Sequence, residues 1–506
     1  GQGLAIGIGM ALNAKIENLD YKTYVLMGDG EIAEGSVWEA ASLASYYKLN
    51  NLICIVDCNK LGQTGLTMHA DKEEEYAKKF EAFGFQTFVI SGHNIEEILQ
   101  TFEKIKTIKN KPSIIIAKTH KGFGLEQVQD LNNFHGKPFA KGEVEKLIKQ
   151  LKDKFPEASQ LKSEKYIPQM PTKIKNKKTE NEIKIDLEKD KNTNLFNLGS
   201  KIATRKAFGY ALEALGKESD EIIVLDGDVK NSTFTEIFEQ NFPNKFIQCF
   251  IAEQSMVGIA TGFESRKKIP FAATFAAFLT RAYDQIRMAG IGRNALRLCG
   301  SHCGVSIGQD GPSQMGLEDI SMFKSIPNSI VLYPSDGVST YKLVECMANY
   351  NNGVSYIRTT RPNTPVIYDK DEKFEIGKCK ILKQNNNDKV CLIGAGITLH
   401  EIIKAFEELK KQNINVSMID LYCIKPIDKE TIIKVAKQSD NKIITIEDHY
   451  LEGGLGQSIA SALINENIKI YNLAVKKIPR SGSQEKLMAY EEIDSNSIIK
   501  KVLEII

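Results

Sequence analysis

The segment Val25–Asn59, VLMGDGEIAEGSVWEAASLASYYKLNNLICIVDCN, predicts a parallel βαβ unit. A first apolar run ends at Gly28-Asp29-Gly30, a helical stretch follows from Gly35, and a second apolar run ends at Asp57-Cys58-Asn59. Open α/β sheets bind ligands beyond the carboxyl ends of their strands. We therefore expect Asp29 and Asn59 to lie side by side at such an edge.

The pair of strand-end side chains points to a metal ion. Mg²⁺ takes few oxygen ligands from protein and the rest from water and phosphate, and one carboxylate with one amide oxygen suits that need. Neighbouring glycines let the backbone approach a diphosphate closely. Taken singly, Asp29 is more often a helix cap and Asn59 a strand-end cap. Their occurrence at successive strand ends favours the metal-diphosphate interpretation.

The length and composition of the chain limit the classes of protein to which it can belong. A chain of 506 residues with 42% hydrophobic content is long enough for about three domains with substantial cores. The 66 basic and 64 acidic residues nearly cancel, so charge gives no argument for nucleic acid or an anionic membrane as partner. Apolar runs such as Ile269–Leu279 are too short to span a bilayer. Nine cysteines without CxxC pairs favour reduced thiols over zinc or disulfides.

Strand-like runs alternate with helical periodicity in three stretches, which predicts three α/β domains with largely parallel sheets. The proposed domains are residues 1–140, 200–365 and 366–506. Residues 141–199 are rich in Lys, Glu and Asn and are predicted to be a charged linker. The predicted strands are Tyr24–Met27, Leu52–Val56, Phe88–Ile90, Ile114–Ala117, Ile222–Leu225, Phe246–Ile251, Val331–Tyr333, Val390–Ile393, Val416–Ile419 and Lys442–Ile446.

Several further segments resemble the transketolase family, in the family's order and over nearly the whole chain. Gln314 stands where many microbial and plant members carry His, so the chain is similar to the animal-type branch. The resemblance implies the thiamine diphosphate-binding fold, with a diphosphate-binding domain, a pyrimidine-binding domain and a C-terminal domain. The segments are GDGEIAEGSVWEAASLASYYKLNNLICIVDCNKLGQ, KIATRKAFG, DGDVKNSTF, IAEQSM, TFAAF, GSHCGVSIGQDGPSQM, IRTTRP and EDHYLEGG.

The resemblance assigns roles toward thiamine diphosphate. Mg²⁺, with Ca²⁺ or Mn²⁺ as substitutes, is expected on Asp29, Asn59 and the Leu61 carbonyl, while Gly30 approaches the diphosphate. Glu253 is expected to hydrogen-bond the aminopyrimidine and so to act in general acid/base catalysis; its ordinary alternative is a helix cap. The remaining cofactor contacts implied are aromatic packing on the pyrimidine by Phe275 and Phe278, and contacts from Gln314, Lys121 and His135.

A second set of residues is implied for the sugar phosphates. Arg, His and Ser donors would grip the phosphate, because guanidinium groups recognise phosphate oxygens bidentately. Asp310 would read a sugar hydroxyl, and His135 would also contact the donor sugar and help proton transfer. Each arginine alone is more often a surface residue, and His135 alone a polar loop residue. The expected phosphate contacts are Arg205, Ser232, His302 and Arg361.

The function implied is the reversible transfer of a two-carbon ketol (glycolaldehyde) unit from a ketose phosphate to an aldose phosphate through a thiamine diphosphate adduct. This is a transferase reaction of the non-oxidative pentose phosphate pathway. A cytoplasmic homodimer with the cofactor at the subunit interface is implied. Because Gly1-Gln2-Gly3-Leu4 begins mid-motif, the family's N-terminal segment, and any targeting signal in it, is expected to be missing. The alternatives are a non-catalytic transketolase-like paralogue or fragment acting as a dimer partner and, with less support, a deoxyxylulose-phosphate synthase.

Overall fold

The structure is a computed structural model of the 506-residue chain and describes residues 1–159 and 182–506. The chain divides into two compact units on either side of residue 178. In the described parts of both units, no helix is long and apolar enough to cross a membrane.

The first unit contains a four-stranded parallel sheet in the order β1-β2-β4-β3. In the β1–β2 ladder Gly28 is the partner of Asp57, so the residues that follow both strands emerge at the same edge. The strands are β1 (Thr23–Gly28), β2 (Leu52–Cys58), β3 (Gln86–Ser91) and β4 (Ser113–Lys118), and the helices are α1 (Gly3–Ile16), α2 (Gly35–Tyr46), α3 (Glu73–Ala82), α4 (Ile95–Ile105) and α5 (Lys141–Lys154).

The second unit contains a seven-stranded sheet in the order β16-β10-β11-β9-β8-β6-β7, parallel except for β16. A separate two-stranded ribbon pairs β5 with β12. The strands are β5 (Lys201–Ala203), β6 (Ile222–Asp226), β7 (Phe246–Gln248), β8 (Ile269–Phe275), β9 (Arg297–Ser301), β10 (Ile330–Leu332), β11 (Ser355–Arg358), β12 (Asn363–Pro365) and β16 (Cys423–Lys425).

Helices cover this sheet and carry several of the predicted site residues. They are α6 (Thr204–Glu218), α7 (Lys230–Thr233), α8 (Glu236–Asn241), α9 (Glu253–Ser265), α10 (Ala276–Leu279), α11 (Tyr283–Ile291), α12 (Asp319–Lys324) and α13 (Gly337–Asn349). Strand β16 lies beyond residue 366, within the predicted third domain. That part of the chain therefore contributes an edge strand to the seven-stranded sheet.

A five-stranded sheet in the order β13-β15-β14-β17-β18 completes the second unit, with only β13 antiparallel to its neighbour. It has its own hydrophobic core, distinct from that of the seven-stranded sheet. Its elements are β13 (Lys380–Lys383), β14 (Cys391–Gly394), β15 (Ser417–Asp420), β17 (Lys442–Tyr450), β18 (Lys469–Val475), α14 (Ile397–Lys411), α15 (Lys429–Lys437), α16 (Leu455–Ala462), α17 (Gln484–Tyr490) and α18 (Ser495–Ile505).

Apart from strands that are shifted by one residue or are longer than predicted, two sequence expectations differ from the structure. The strand predicted over Phe246–Ile251 ends at Gln248, because Phe250 has a φ of 54°, which a β-strand cannot accommodate. The other difference concerns the predicted linker over 141–199. Residues 141–154 form α5, and residues 160–181 lie outside the described part of the chain.

The last part of the predicted linker belongs to the core of the second unit. Ile185, Leu187 and Phe196 are 4%, 0% and 0% exposed and pack in the hydrophobic cluster of the seven-stranded sheet. Apolar residues alternate with charged ones at Ile183, Ile185 and Leu187, so one side of an extended segment is buried while the charges face solvent. The average composition of residues 141–199 does not reveal this alternation, so it predicts a linker where the structure has a buried segment.

Candidate active site

Asp29 follows β1 in the first unit and is 4% exposed. Its Oδ1 accepts a hydrogen bond from the Gly30 amide at 2.9 Å. Its Oδ2 accepts from the Lys60 amide at 2.8 Å and from Thr67 Oγ1 at 3.1 Å. The carboxylate at the end of β1 is therefore held by the segment that follows β2.

Asn59 occupies the equivalent place after β2. Its Oδ1 accepts a hydrogen bond from the Leu61 amide at 3.1 Å, and Lys60 between them donates to Asp29. The structure thus brings together at one sheet edge the four residues predicted for the metal and diphosphate, namely Asp29, Gly30, Asn59 and Leu61.

The electrostatics at this edge suit a cation. Burial raises the pKa of Asp29, and the hydrogen bonds it accepts only partly oppose that effect. An ionised carboxylate has about four acceptor positions, of which three are used, so capacity remains for a metal ion. Within residues 1–159 and 182–506 no cluster of three or more His, Cys, Asp or Glu side chains could hold a metal. The ligands that the sequence predicts at this edge are of another kind, namely a carboxylate, an amide oxygen and a backbone carbonyl.

Lys121 and His135 lie together on the loops after β4. Lys121 Nζ is 3.4 Å from His135 Nδ1, and the His135 side chain is exposed. The Asp130 amide donates to the Lys121 carbonyl at 2.9 Å, and the Asp130 carboxylate lies 3.9 Å from Lys60 Nζ. Asp130 therefore links this pair to the segment that holds Asp29.

A cavity of about 530 Å³ lies in the second unit, at the carboxyl ends of the seven-stranded sheet. It gathers residues that are distant in sequence, including all four predicted phosphate contacts together with Asp310, Gln314 and Phe275. The lining residues are Arg205, Asn231, Ser232, Phe275, His302, Asp310, Gln314 and Arg361.

Two arginines give the cavity its positive charge. Arg205 Nη1 donates to the Ser232 carbonyl at 2.9 Å, and its buried Nε has no hydrogen-bond partner. Arg361 Nη1 donates to the Ile307 carbonyl at 3.0 Å and lies 3.2 Å from Asp310. Burial and the neighbouring Arg361 lower the pKa of Arg205. An anion bound between the two guanidinium groups would relieve this repulsion.

His302 is a neutral imidazole at physiological pH. It is 3% exposed, and burial, with Arg205 and Arg361, lowers its pKa to about 3. The ring stacks on Phe275 with centroids 3.9 Å apart, and its Nδ1 lies 3.0 Å from Ser301 Oγ. Neutral imidazole offers one donor and one acceptor, so it can serve either a phosphate oxygen or a sugar hydroxyl.

Glu253 and Phe278 do not line this cavity. Glu253 is the first residue of α9 and is 3% exposed, and its Oε2 is buried without a hydrogen-bond partner. Phe278 stacks against Phe275 with centroids 5.1 Å apart and planes 17° from parallel. Phe275 thus contacts both His302 in the cavity and Phe278 outside it.

Asn231 is the lining residue that the sequence reasoning missed. It lies beside Ser232 on α7 and faces the same cavity. The signal that could identify it is its place next to Ser232 within the segment DGDVKNSTF. An exposed amide on a short helix carries no pattern of its own, so only the folded cavity distinguishes it.

Comparisons with known proteins identify the family of the chain. Three family models match: "Transketolase, thiamine diphosphate binding domain" at residues 1–202, "Transketolase, pyrimidine binding domain" at 200–366 and "Transketolase, C-terminal domain" at 377–498. Homo sapiens transketolase is 46% identical over 507 residues, covering 99% of this chain and 79% of that protein. Mus musculus transketolase-like protein 2 is 47% identical with the same coverage.

A solved structure shares the fold. The crystal structure of Pichia stipitis transketolase in complex with sedoheptulose 7-phosphate matches with a TM-score of 0.76 at 18% identity, covering 100% of this chain and 80% of that one. The fold and the matched family models define an α/β protein of the thiamine diphosphate-binding class. Within that class, the chain belongs to the transketolase family, which confirms the resemblance and the fold predicted from sequence.

Proposed function

We propose that this chain catalyses the reversible transfer of a two-carbon ketol unit from a ketose phosphate to an aldose phosphate, using thiamine diphosphate and Mg²⁺. The observation that carries the proposal is the cavity of the second unit. There Arg205 and Arg361 meet Ser232 and a neutral His302, with Asp310 at the same wall. The cationic and hydroxyl donors can bind a phosphate group, and the neighbouring side chains can form hydrogen bonds with sugar hydroxyls. Together they match the chemistry of a sugar phosphate.

Phosphate recognition explains the arginine pair. Two guanidinium groups that repel each other are stabilised when an anion binds between them. The partnerless buried Nε of Arg205 supplies a further donor. Among related structures, the Pichia stipitis transketolase complex holds a sugar phosphate, which supports the same class of ligand for this chain.

The sugar hydroxyls require groups that accept as well as donate hydrogen bonds. The Asp310 carboxylate accepts, while the neutral His302 and the Gln314 amide can do both. His135, exposed on the loop after β4, is the proposed additional contact to the donor sugar. Through these hydrogen bonds, the residues orient the carbonyl group of the sugar and fix the positions of the protons on its hydroxyl groups.

The second unit also has features that fit the aminopyrimidine of thiamine diphosphate. A buried carboxyl oxygen without a partner is costly, and Glu253 Oε2 is such an atom, so a ring nitrogen would satisfy it. The stacked Phe275–Phe278 pair offers an aromatic surface for a flat ring. When bound, thiamine diphosphate supplies the nucleophilic carbon that carries the two-carbon unit. Glu253 would hold and exchange the proton at the ring nitrogen.

The diphosphate and metal would lie at the strand-end edge of the first unit. Asp29, Asn59 and the Leu61 carbonyl are the proposed ligands for Mg²⁺, with Ca²⁺ or Mn²⁺ as substitutes. The hydrogen bonds from Gly30, Lys60 and Thr67 that fix the Asp29 carboxylate at this edge support this. A bound cation would keep that buried carboxylate ionised. Gly30 and Lys121 are the proposed diphosphate contacts.

We infer a cytoplasmic homodimer that works in the non-oxidative pentose phosphate pathway. The proposed diphosphate contacts lie in residues 1–159 and the proposed pyrimidine contacts in residues 182–506. In the proposed dimer, the first set of one subunit and the second set of the other hold one cofactor. Family membership supports this arrangement.

The test is a cofactor titration of the purified chain. Thiamine diphosphate with Mg²⁺ should raise the unfolding midpoint by mass action, and ketol transfer from xylulose 5-phosphate to ribose 5-phosphate should follow. Asp29→Asn should lose most of the midpoint shift. Because it replaces an oxygen that accepts hydrogen bonds with a donor, it should also lower the midpoint of the cofactor-free chain, so the shift is measured from each variant's own cofactor-free midpoint. Asp153→Asn, at an exposed position of α5, is the matched control.

A competing candidate is a non-catalytic member that serves as a dimer partner. The transketolase-like relative is the observation that keeps this candidate open. It predicts cofactor binding or dimer formation without turnover under the same conditions. Turnover with both sugar phosphates present would exclude it.

A further inference from the structure

The loop that carries the candidate substrate contacts is closed at its base. This 302–316 loop leaves β9 and contains His302, Asp310 and Gln314. The Gly304 amide donates to the Gly316 carbonyl at 2.9 Å, and the Gly316 amide donates to the His302 carbonyl at 3.2 Å. The two ends of the loop are thereby joined, and its interior includes a short 3₁₀ helix, Val305–Asp310, which is kinked at Gly308.

The apolar side chains of the loop belong to the core of the five-stranded sheet. Val305, Ile307 and Met315 are 0%, 3% and 2% exposed and cluster with residues of that sheet and its helices. The polar residues His302, Asp310 and Gln314 line the cavity instead. The 302–316 loop therefore packs against the C-terminal part of the chain.

Asp448 on β17 holds the start of the 3₁₀ helix directly. Its Oδ1 accepts from the Val305 amide at 2.7 Å and its Oδ2 from the Ser306 amide at 3.3 Å. A Cβ atom on Gly304 would lie 1.9 Å from Oδ2, and Gly304 has a φ of 78°. Only glycine fits beside the carboxylate in this conformation. Hydrogen bonds to a buried charged acceptor are among the stronger ones in proteins.

An irregularity in β17 aims the carboxylate at the loop. The register of the β17–β18 ladder shifts between Ile446 and Tyr450, as in a β-bulge, which redirects side chains. Glu447 and Asp448 are consecutive yet both buried, at 2% and 0% exposure. Arg358 strengthens the link, since its Nη2 donates to the carbonyls of Gly316 and Asp448, at 2.8 Å each.

Glu447 has the same kind of contacts but a different target. Its carboxylate accepts from the amides of Leu455 and Gly456 at 2.5 and 3.1 Å, at the start of α16. It resembles Asp448 in strand, burial and number of backbone hydrogen bonds, and it does not contact the 302–316 loop in any of these bonds. It is therefore the matched control for Asp448.

We propose that Asp448 is a positioning residue for the sugar-phosphate site, and that the C-terminal domain takes part in substrate binding through it. The carboxylate fixes the loop backbone at Val305 and Ser306, and the loop in turn fixes His302, Asp310 and Gln314 at the cavity. Arg361, which donates to the Ile307 carbonyl, is oriented by the same segment. The proposal rests on the proposed function only for the identity of the ligand.

The first measurement is amide hydrogen exchange, which needs no activity. Asp448→Asn keeps the shape of the side chain but replaces one acceptor oxygen with a donor. We expect peptides covering residues 304–307 to exchange about 10-fold faster in this variant, because at least one amide loses its partner. Gly304→Ala tests the same contact from the loop side and should give the same change. Glu447→Gln should speed exchange at residues 455–456 and leave residues 304–307 as in the wild type.

The second measurement is steady-state kinetics with ribose 5-phosphate as acceptor. Asp448→Asn should raise its KM by about 2- to 30-fold, the range for residues that act through another group. The value of kcat and the midpoint of the cofactor titration should change much less. Asp448→Ala should give the larger KM of the two, so that the conservative variant partly rescues binding. Glu447→Gln should leave KM unchanged.

The two measurements separate the failure of this proposal from the failure of the proposed function. Wild-type exchange at residues 304–307 in Asp448→Asn, or an equal KM change in Glu447→Gln, would overturn the positioning role. A wild-type chain that neither binds nor turns over ribose 5-phosphate would instead contradict the proposed function. In that case the hydrogen-exchange comparison still decides whether Asp448 holds the loop.

Discussion

The guanidinium group of Arg361 lies 3.2 Å from the carboxylate of Asp310. The family resemblance implies a phosphate contact for Arg361 and a sugar-hydroxyl contact for Asp310, and the fold makes the two side chains direct neighbours. The ion pair holds Arg361 at the cavity before any ligand binds. It also balances part of the positive charge there, so that phosphate affinity depends on both residues.

Arg361→Ala should weaken the binding of phosphorylated sugars far more than that of the cofactor. A hydrogen bond to a charged group contributes about 1.5–3 kcal/mol, which corresponds to a rise in KM of about 10- to 150-fold. Initial rates at varied ribose 5-phosphate, with thermal titration of thiamine diphosphate, measure the two effects. Arg293→Ala, an exposed arginine outside the cavity, is the control. Equal losses of sugar and cofactor affinity would assign Arg361 to another contact.

Glu253→Gln should abolish most of the ketol transfer while leaving the protein folded. General acid/base groups contribute about 10²- to 10⁴-fold to rate, and glutamine keeps the volume of the buried side chain. We expect the dimer and the unfolding midpoint to stay close to wild type. Glu264→Gln, at the other end of α9, where the carboxylate accepts from Asn294 at 2.8 Å, is the control. Unchanged turnover in Glu253→Gln would rule out the proton-transfer role.

The stability of the chain should depend on pH through His302. Its pKa is lowered to about 3 in the folded chain, against about 6.5 when unfolded. Between these values the unfolded state binds the proton, so folding stability falls as pH falls below 6.5, by about 1.4 kcal/mol per pH unit. Urea unfolding at pH 7 and pH 5 should show a loss about 2 kcal/mol larger in the wild type than in His302→Asn. Equal losses in the two proteins would contradict the buried neutral state.

Leu187→Ala should destabilise the second unit, although the sequence around it reads as a charged linker. The side chain is 0% exposed in the core, and a buried Leu→Ala change costs about 2–5 kcal/mol. Leu198→Ala, in the same segment but 58% exposed, should change the free energy of unfolding by about 0.5 kcal/mol or less. Denaturant unfolding of both variants measures the difference. A negligible cost for Leu187→Ala would restore the linker interpretation for this segment.

Local pattern was enough to predict the strands of the first unit. Each of its four predicted runs lies inside an observed strand, because an apolar run between glycine and polar residues has few other ways to be buried. Pattern was not enough where the backbone leaves the regular region at one residue, as at Phe250. It also failed where burial depends on alternation within a charged segment, as at Ile185 and Leu187.

The sequence by itself determined the family and the chemical inventory of the candidate site. Motifs such as Gly28-Asp29-Gly30 and Gly300–Met315 identify candidate site residues without knowledge of the segments they contact. This is possible because short segments encode local backbone geometry and side-chain chemistry. Only the tertiary structure decided which residues meet. Arg205 and Arg361 line the same cavity. Asp448, which lies in the five-stranded sheet, accepts a hydrogen bond from Val305 in the 302–316 loop. Such contacts between distant segments arise when separate elements pack on shared cores, and no local pattern specifies them.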